Sequence, residues 1–172
     1  MNQHLERLNG LAPFLQPVVL ELIHRCERDL KRSLLVVRGW SSYADQLQKY
    51  QQGRTLDRAT GEWVETEHAL IVTDAPPGMS AHNVVVQGTM AKAAVGVDLI
   101  PLLADGTPDW NAPFAFWAKL YPIAWKCGLD PLGDIVGAYL KGDLGHFEEP
   151  AWPLKLPGLG LMRPTIGDAI AV

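Results

Sequence analysis

The sequence predicts an α+β fold in which helices pack on a small antiparallel sheet. Three observations lead there. Apolar residues recur at helical spacing in two long segments, 15–30 and 105–130. Short β-rich runs lie between and after them, without the regular strand–helix–strand rhythm of a parallel sheet. A length of 172 residues suits one domain with a single core, 1–172, and nothing in the composition requires a second.

The elements follow in order. In "LQPVVLELIHRCERDL", Val18, Val19, Leu22, Ile23, Cys26 and Leu30 fall on one helical face, and His24 sits among surface charges as a solvated side chain. "SLLVVRGW" reads as a short strand ending at Gly39. "SSYADQLQKYQQG" then reads as a helix with Ser41 or Ser42 as N-cap and Gly53 as its stop. The segment "RTLDRATGEWVETEHA" is polar and turn-rich. "LIVTDAPPG" is expected to be a strand entering a tight turn and "VGVDLIPLL" its hairpin partner.

Further on, "DGTPDWNAPFAFWAKLYPIAWKCGLD" predicts a helix capped by Asp109 or Asn111 and ended by Gly128, with Trp117, Leu120 and Trp125 in the core. "KGDLGHFEEP" is expected to form a short strand bearing Asp143, His146 and Glu148. From about residue 150 the Pro- and Gly-rich end has little periodicity and reads as an irregular tail.

Bulk properties exclude several function classes. A formal net charge of −4 gives no reason to expect a nucleic-acid-binding surface. Cys26 and Cys127 are far apart, with no CxxC pair, and read as reduced thiols. The first ten residues lack the basic start and apolar run of a signal peptide, and no apolar stretch approaches spanning length, so no membrane insertion is expected.

The residues with chemistry cluster late. Asp98 lies inside the apolar run "AVGVDLIPLL", where a carboxylate without a partner would be expensive. With His82 and His146 it makes a set of three nitrogen and oxygen donors, the number a catalytic zinc needs when one position stays open for water. Asp143, three residues before His146, is placed to accept a proton near such a metal. Glu148, two residues after His146, projects to the same side of a strand and could orient that imidazole. Each has a plainer reading: a turn histidine, an acceptor for loop amides, a solvated hairpin end.

Read together, "GWSSYADQLQKYQQGRT", "IVTDAPPGMSAHN", "VGVDLIPL" and "GDLGHFE" resemble the peptidoglycan L-alanyl-D-glutamate endopeptidases, relatives of the D-alanyl-D-alanine carboxypeptidases. Phage endolysins are frequent members. The resemblance spans about Val36 to Glu148. It implies zinc on His82, Asp98 and His146, Asp143 as the catalytic base, Arg54 and Gln46 as candidates either to contact substrate or to support the site from behind, with a plain surface arginine as the other reading of Arg54, and Ser80 as a residue that orders the site.

What the resemblance implies is a monomeric zinc metallopeptidase acting on cell-wall stem peptides. As a phage or prophage lysin it would wait in the host bacterial cytoplasm until released to the wall. A D-alanyl-D-alanine carboxypeptidase and a non-catalytic zinc-containing wall-binding protein are the alternatives. Two departures from the family pattern stand out. "VVVQGTMAKA" lengthens the connection from His82 to Asp98, so the pairing of those two is inferred. Ser41 stands in "GWSS" where relatives carry an arginine, which leaves Arg38 or Arg54 to stabilise the transition state.

Overall fold

The computed structural model describes residues 3–136, 139–141 and 143–165. The chain begins with α1 (Gln3–Asn9), α2 (Leu15–Arg25), β1 (Leu34–Arg38) and α3 (Tyr43–Tyr50). Next come β2 (Arg54–Leu56), β3 (Trp63–Glu65), β4 (Val85–Val86), β5 (Gly96–Pro101) and α4 (Phe114–Cys127). It closes with β6 (Asp130–Pro131), β7 (Asp134–Val136), β8 (Tyr139–Lys141), β9 (His146–Glu148), α5 (Trp152–Lys155) and β10 (Leu161–Met162). The fold is α+β, built on a four-stranded antiparallel sheet in the order β1-β5-β9-β6.

Helix α2 buries Leu15, Val19 and Leu22, and Cys26 continues that face into a π-helical turn that stops at Lys31, whose backbone is left-handed. His24 is exposed on the far side. Helix α4 buries Phe116, Trp117, Leu120, Tyr121 and Ala124, and Tyr121 meets Phe147 of β9 edge-on at 6.0 Å between ring centroids. The core joins these helices to Leu34 and Val36 of β1, Val97 and Leu99 of β5 and Phe147. One sheet face is thereby committed to packing.

Helix α3 starts on a reciprocal cap. Ser42 Oγ accepts the Asp45 amide at 3.0 Å, and the Asp45 carboxylate accepts the Ser42 amide at 3.2 Å. Ser41 is not the cap; its N–H donates to the His82 carbonyl at 2.9 Å.

Several expectations are corrected. "LIVTDAPPG" is not a strand: after a 3₁₀ turn at His68–Leu70 the chain makes no ladder, and Val72 is exposed. Strand β5 has β1 and β9 on its two edges, so no edge is open for it, and two consecutive prolines offer no amide. The polar 54–69 segment instead forms a hairpin, pairing Arg54 with Glu65 and Leu56 with Trp63.

Neither Asp109 nor Asn111 caps α4, which begins after Pro113; the Asp109 carboxylate instead takes the Arg32 guanidinium at 2.9 Å. Trp125 is exposed, not core, with its indole N–H toward Asp130 at 3.4 Å. Cys26 is buried and Cys127 partly so, both free. Among the described residues no helix is long and apolar enough to cross a membrane.

The C-terminal segment is also more ordered than its sequence suggests. Strand β10 pairs with β4, and Trp152, Leu156 and Leu161 enter the core. Its anchors are sparse and separated by Pro153, Pro157 and Gly158, which hides any period. Leu156→Ala should therefore cost about 2–5 kcal/mol in urea unfolding. A loss within experimental error would mean that the segment is a tail after all.

Candidate metal centre

The site is assembled by strand register. Across the sheet, Arg38 of β1 lies opposite Asp98 of β5, and Asp98 lies opposite His146 of β9. Directly opposed residues on adjacent strands share a face at side-chain contact distance. Arg38 joins this row because the register shifts between Val36 and Arg38. Val36 pairs with buried Leu99; without the extra residue, Arg38 would oppose Val97 and point into the core.

His82 arrives from outside the sheet on a 3₁₀ turn, Ala81–Asn83, whose N-cap Ser80 accepts the His82 amide at 3.3 Å. Asn83 fixes that turn to the start of α3. Its amide donates to the Ser41 and Ser42 carbonyls at 2.9 and 3.2 Å, and its oxygen accepts the Gly78 N–H at 3.3 Å. From the sequence alone Asn83 had no assigned role, although a polar residue directly after a candidate ligand was a signal. The chain between His82 and Asp98 returns through β4 and brings the carboxylate back beside the imidazole.

The geometry at the centre is tight. His82 Nε2 lies 3.1 Å from Asp98 Oδ1 and 3.2 Å from His146 Nδ1, and His146 Nδ1 lies 2.8 Å from Asp98 Oδ1. The rings meet edge to face at 4.9 Å. Gly96 leaves room for this, since a Cβ there would come within 3.0 Å of the His146 ring and 2.7 Å of Ala81.

The outer nitrogens are already committed. His82 Nδ1 is 2.7 Å from the Gly39 carbonyl, which can only accept, so Nδ1 carries the proton. His146 Nε2 is 3.1 Å from the Glu148 carboxylate and donates in the same way. Both inner nitrogens therefore turn a lone pair toward each other and toward a carboxylate oxygen. Three acceptors within 3.2 Å need a proton or a cation between them. For a tetrahedral ion with bonds near 2.0–2.1 Å, adjacent ligands stand about 3.3–3.4 Å apart, so the triangle needs to open only slightly. The group His82, Asp98 and His146 could hold a metal ion.

The electrostatics agree. Burial alone would raise Asp98, but the two histidines beside it hold it well below the usual carboxylate range. Burial pulls His82 down. His146 would be lowered by burial too, yet its bonds to Asp98 and Glu148 push it up to about 9. Without a cation, that proton on His146 relieves the repulsion among the acceptors. A metal must displace it, so affinity for the ion should weaken as pH falls.

The centre opens on a cleft of about 790 Å³ lined by Arg38, Ser80, His82, Asp143, His146 and Glu148, with the 71–75 segment and Trp152 along its sides. Asp143 is solvent-accessible at this cleft. Surrounding protein, and then the Asp98 charge, raise it above an ordinary aspartate. Arg38 is held by Ser41 Oγ at 2.8 Å and by Gln46 Oε1 at 2.5 Å.

Gln46 and Arg54 do not line the cleft. Gln46 is fully buried, and its amide holds the Ala75 carbonyl at 2.7 Å. Arg54 stacks over Tyr50, bonds the Tyr50 and Thr73 carbonyls and pairs with Glu65 and Asp74. Both fasten the cleft wall rather than offering a free group to a ligand.

Neither a scan against protein-family models nor a search of curated proteins returned a match. The reading of the centre therefore stands on its geometry. Asp74 is highly exposed and tied to Arg54, far from the role of Asp98. Asp98→Ala should lower metal affinity sharply in a competition titration, whereas Asp74→Ala should leave it nearly unchanged. The reverse order would remove Asp98 from the ligand set.

Proposed function

We propose that this chain is a zinc-dependent peptidoglycan endopeptidase that hydrolyses the L-alanyl-D-glutamate bond of cell-wall stem peptides, as a phage or prophage endolysin acting on the wall after release from the host cytoplasm. The observation that carries the reading is the convergence of three inward-facing acceptors, from His82, Asp98 and His146, in one open cleft with Asp143 and Arg38. The donor set suits zinc: two neutral imidazoles and a carboxylate, each imidazole oriented by an outer acceptor. The sequence motifs that resemble the endopeptidases place the same residues in these roles.

Zinc, when bound, would polarise the scissile carbonyl and acidify water. The chain's own groups complete the reaction. Asp143 takes a proton from the attacking water as its oxygen bonds to the carbonyl carbon, then returns it to the leaving nitrogen as the C–N bond breaks. The products are a carboxylate and a free amine. An aspartate held above its usual pKa by its surroundings is suited to both transfers. Arg38 faces the same space and supplies positive charge where the carbonyl oxygen becomes negative; the bonds from Ser41 and Gln46 hold it there. Ser41 thus supports an arginine three residues before it, at the end of β1, which accounts for the "GWSS" departure.

Digestion of purified peptidoglycan should create new D-glutamate amino termini, identified by mass spectrometry. Asp143→Asn should keep its zinc and fold but lose about 10²- to 10⁴-fold of the rate. New termini at D-alanine would favour the carboxypeptidase alternative, and an undigested wall with zinc bound would favour a binding protein.

A further inference from the structure

A second hollow, of about 460 Å³, shares Arg38 and Asp143 with the main cleft. Its walls include Trp110, Trp117 and Leu144, with Asp98 at one side and Lys49 on another. Lys49 lies in the last turn of α3 and is half-buried. Among the described residues its side chain makes no hydrogen bond or ion pair. Its charged neighbours are Arg38, Asp98 and Asp45, acting at longer range. Its ammonium is thus not committed to a protein group and is available to an anion entering the hollow.

The charges around the hollow decide what that something is. Arg38 and Lys49 carry two positive charges, and Asp98 and Asp143 carry two negative ones. A divalent ion on the metal centre would consume Asp98 and leave the hollow net positive. Trp110 is mostly exposed beside it and offers an apolar wall. An anion attached to a short carbon chain fits this combination.

We infer that the second hollow binds a carboxylate of the substrate next to the bond being cut, with Lys49 as its counter-ion and Trp110 covering the adjoining methylenes. The inference rests on the endopeptidase reading. In a stem peptide linked through the glutamate side chain, the α-carboxyl of D-glutamate stands one carbon from the nitrogen that leaves. Lys49 is then a specificity-determining residue: it distinguishes a free α-carboxylate from its amide.

The test uses the zinc-loaded full chain and a pair of synthetic stem tripeptides, L-alanyl-γ-D-glutamyl-L-lysine with the glutamate α-carboxyl free and with it amidated. The wild-type chain should prefer the acid, mainly through KM. Lys49→Met should reduce that preference by about tenfold or more, the size of one lost charge-assisted bond, and Lys49→Arg should restore most of it. An acid-to-amide ratio unchanged in Lys49→Met, with zinc content and melting temperature intact, would overturn the inference while leaving the peptidase intact. If neither peptide is cut, the peptidase reading fails, but the inference is still decided by titrating tryptophan fluorescence with each peptide. Tighter binding of the acid that disappears in Lys49→Met supports it; equal binding of both peptides overturns it.

Discussion

The structure turns on a single charge placed where charge is expensive. Asp98 sits in the middle of β5, between buried Val97 and buried Leu99, and its side chain reaches the face of the sheet turned away from the core. It is tolerated because β1 and β9 bring Arg38 and His146 alongside it and the 80–83 turn brings His82 from above. Much of the surrounding architecture serves that arrangement. The shift in β1 turns Arg38 away from the core, Gly96 leaves space for an imidazole, and Asn83 fastens the turn that carries His82.

The same arrangement explains why the centre is chemically poised. Each histidine spends its outer nitrogen on an acceptor that belongs to the frame, Gly39 or Glu148. Their inner nitrogens are thereby turned as lone pairs toward each other and toward Asp98. A proton on His146 is one answer and a metal ion is the other. Protons and metal compete for one site, so the chemistry of the cleft is linked to pH through its ligands before Asp143 is considered.

Much of this was legible in the sequence, and the failures are instructive. The helices at 15–25, 43–50 and 114–127 followed from periodicity and from the serine that begins α3. Asp98 was visible because a carboxylate in an apolar strand demands an explanation, and Glu148 because residues two apart on a strand share a face. The pairing of "LIVTDAPPG" with β5 failed because local pattern cannot show that both edges of β5 are taken by distant strands. For Arg54 and Gln46 the motif left open whether they contact substrate or support the site. Only tertiary structure shows their polar atoms already bound to the 73–75 backbone. The sequence pointed to Arg38 or Arg54 without separating them, since a one-residue shift in register decides that Arg38 faces the cleft. The anchors of the C-terminal segment were masked by the prolines and glycines between them.

The central claim is that His82, Asp98 and His146 form one zinc site in spite of the long connection between the first two. Crystals of the zinc-loaded chain, measured at wavelengths on either side of the zinc absorption edge, test it most directly. The account predicts a single anomalous peak in contact with His82 Nε2, His146 Nδ1 and an Asp98 oxygen, with Asp143 beside it but not bound. A peak held by other residues, or none at that triangle while zinc is present in solution, would contradict it.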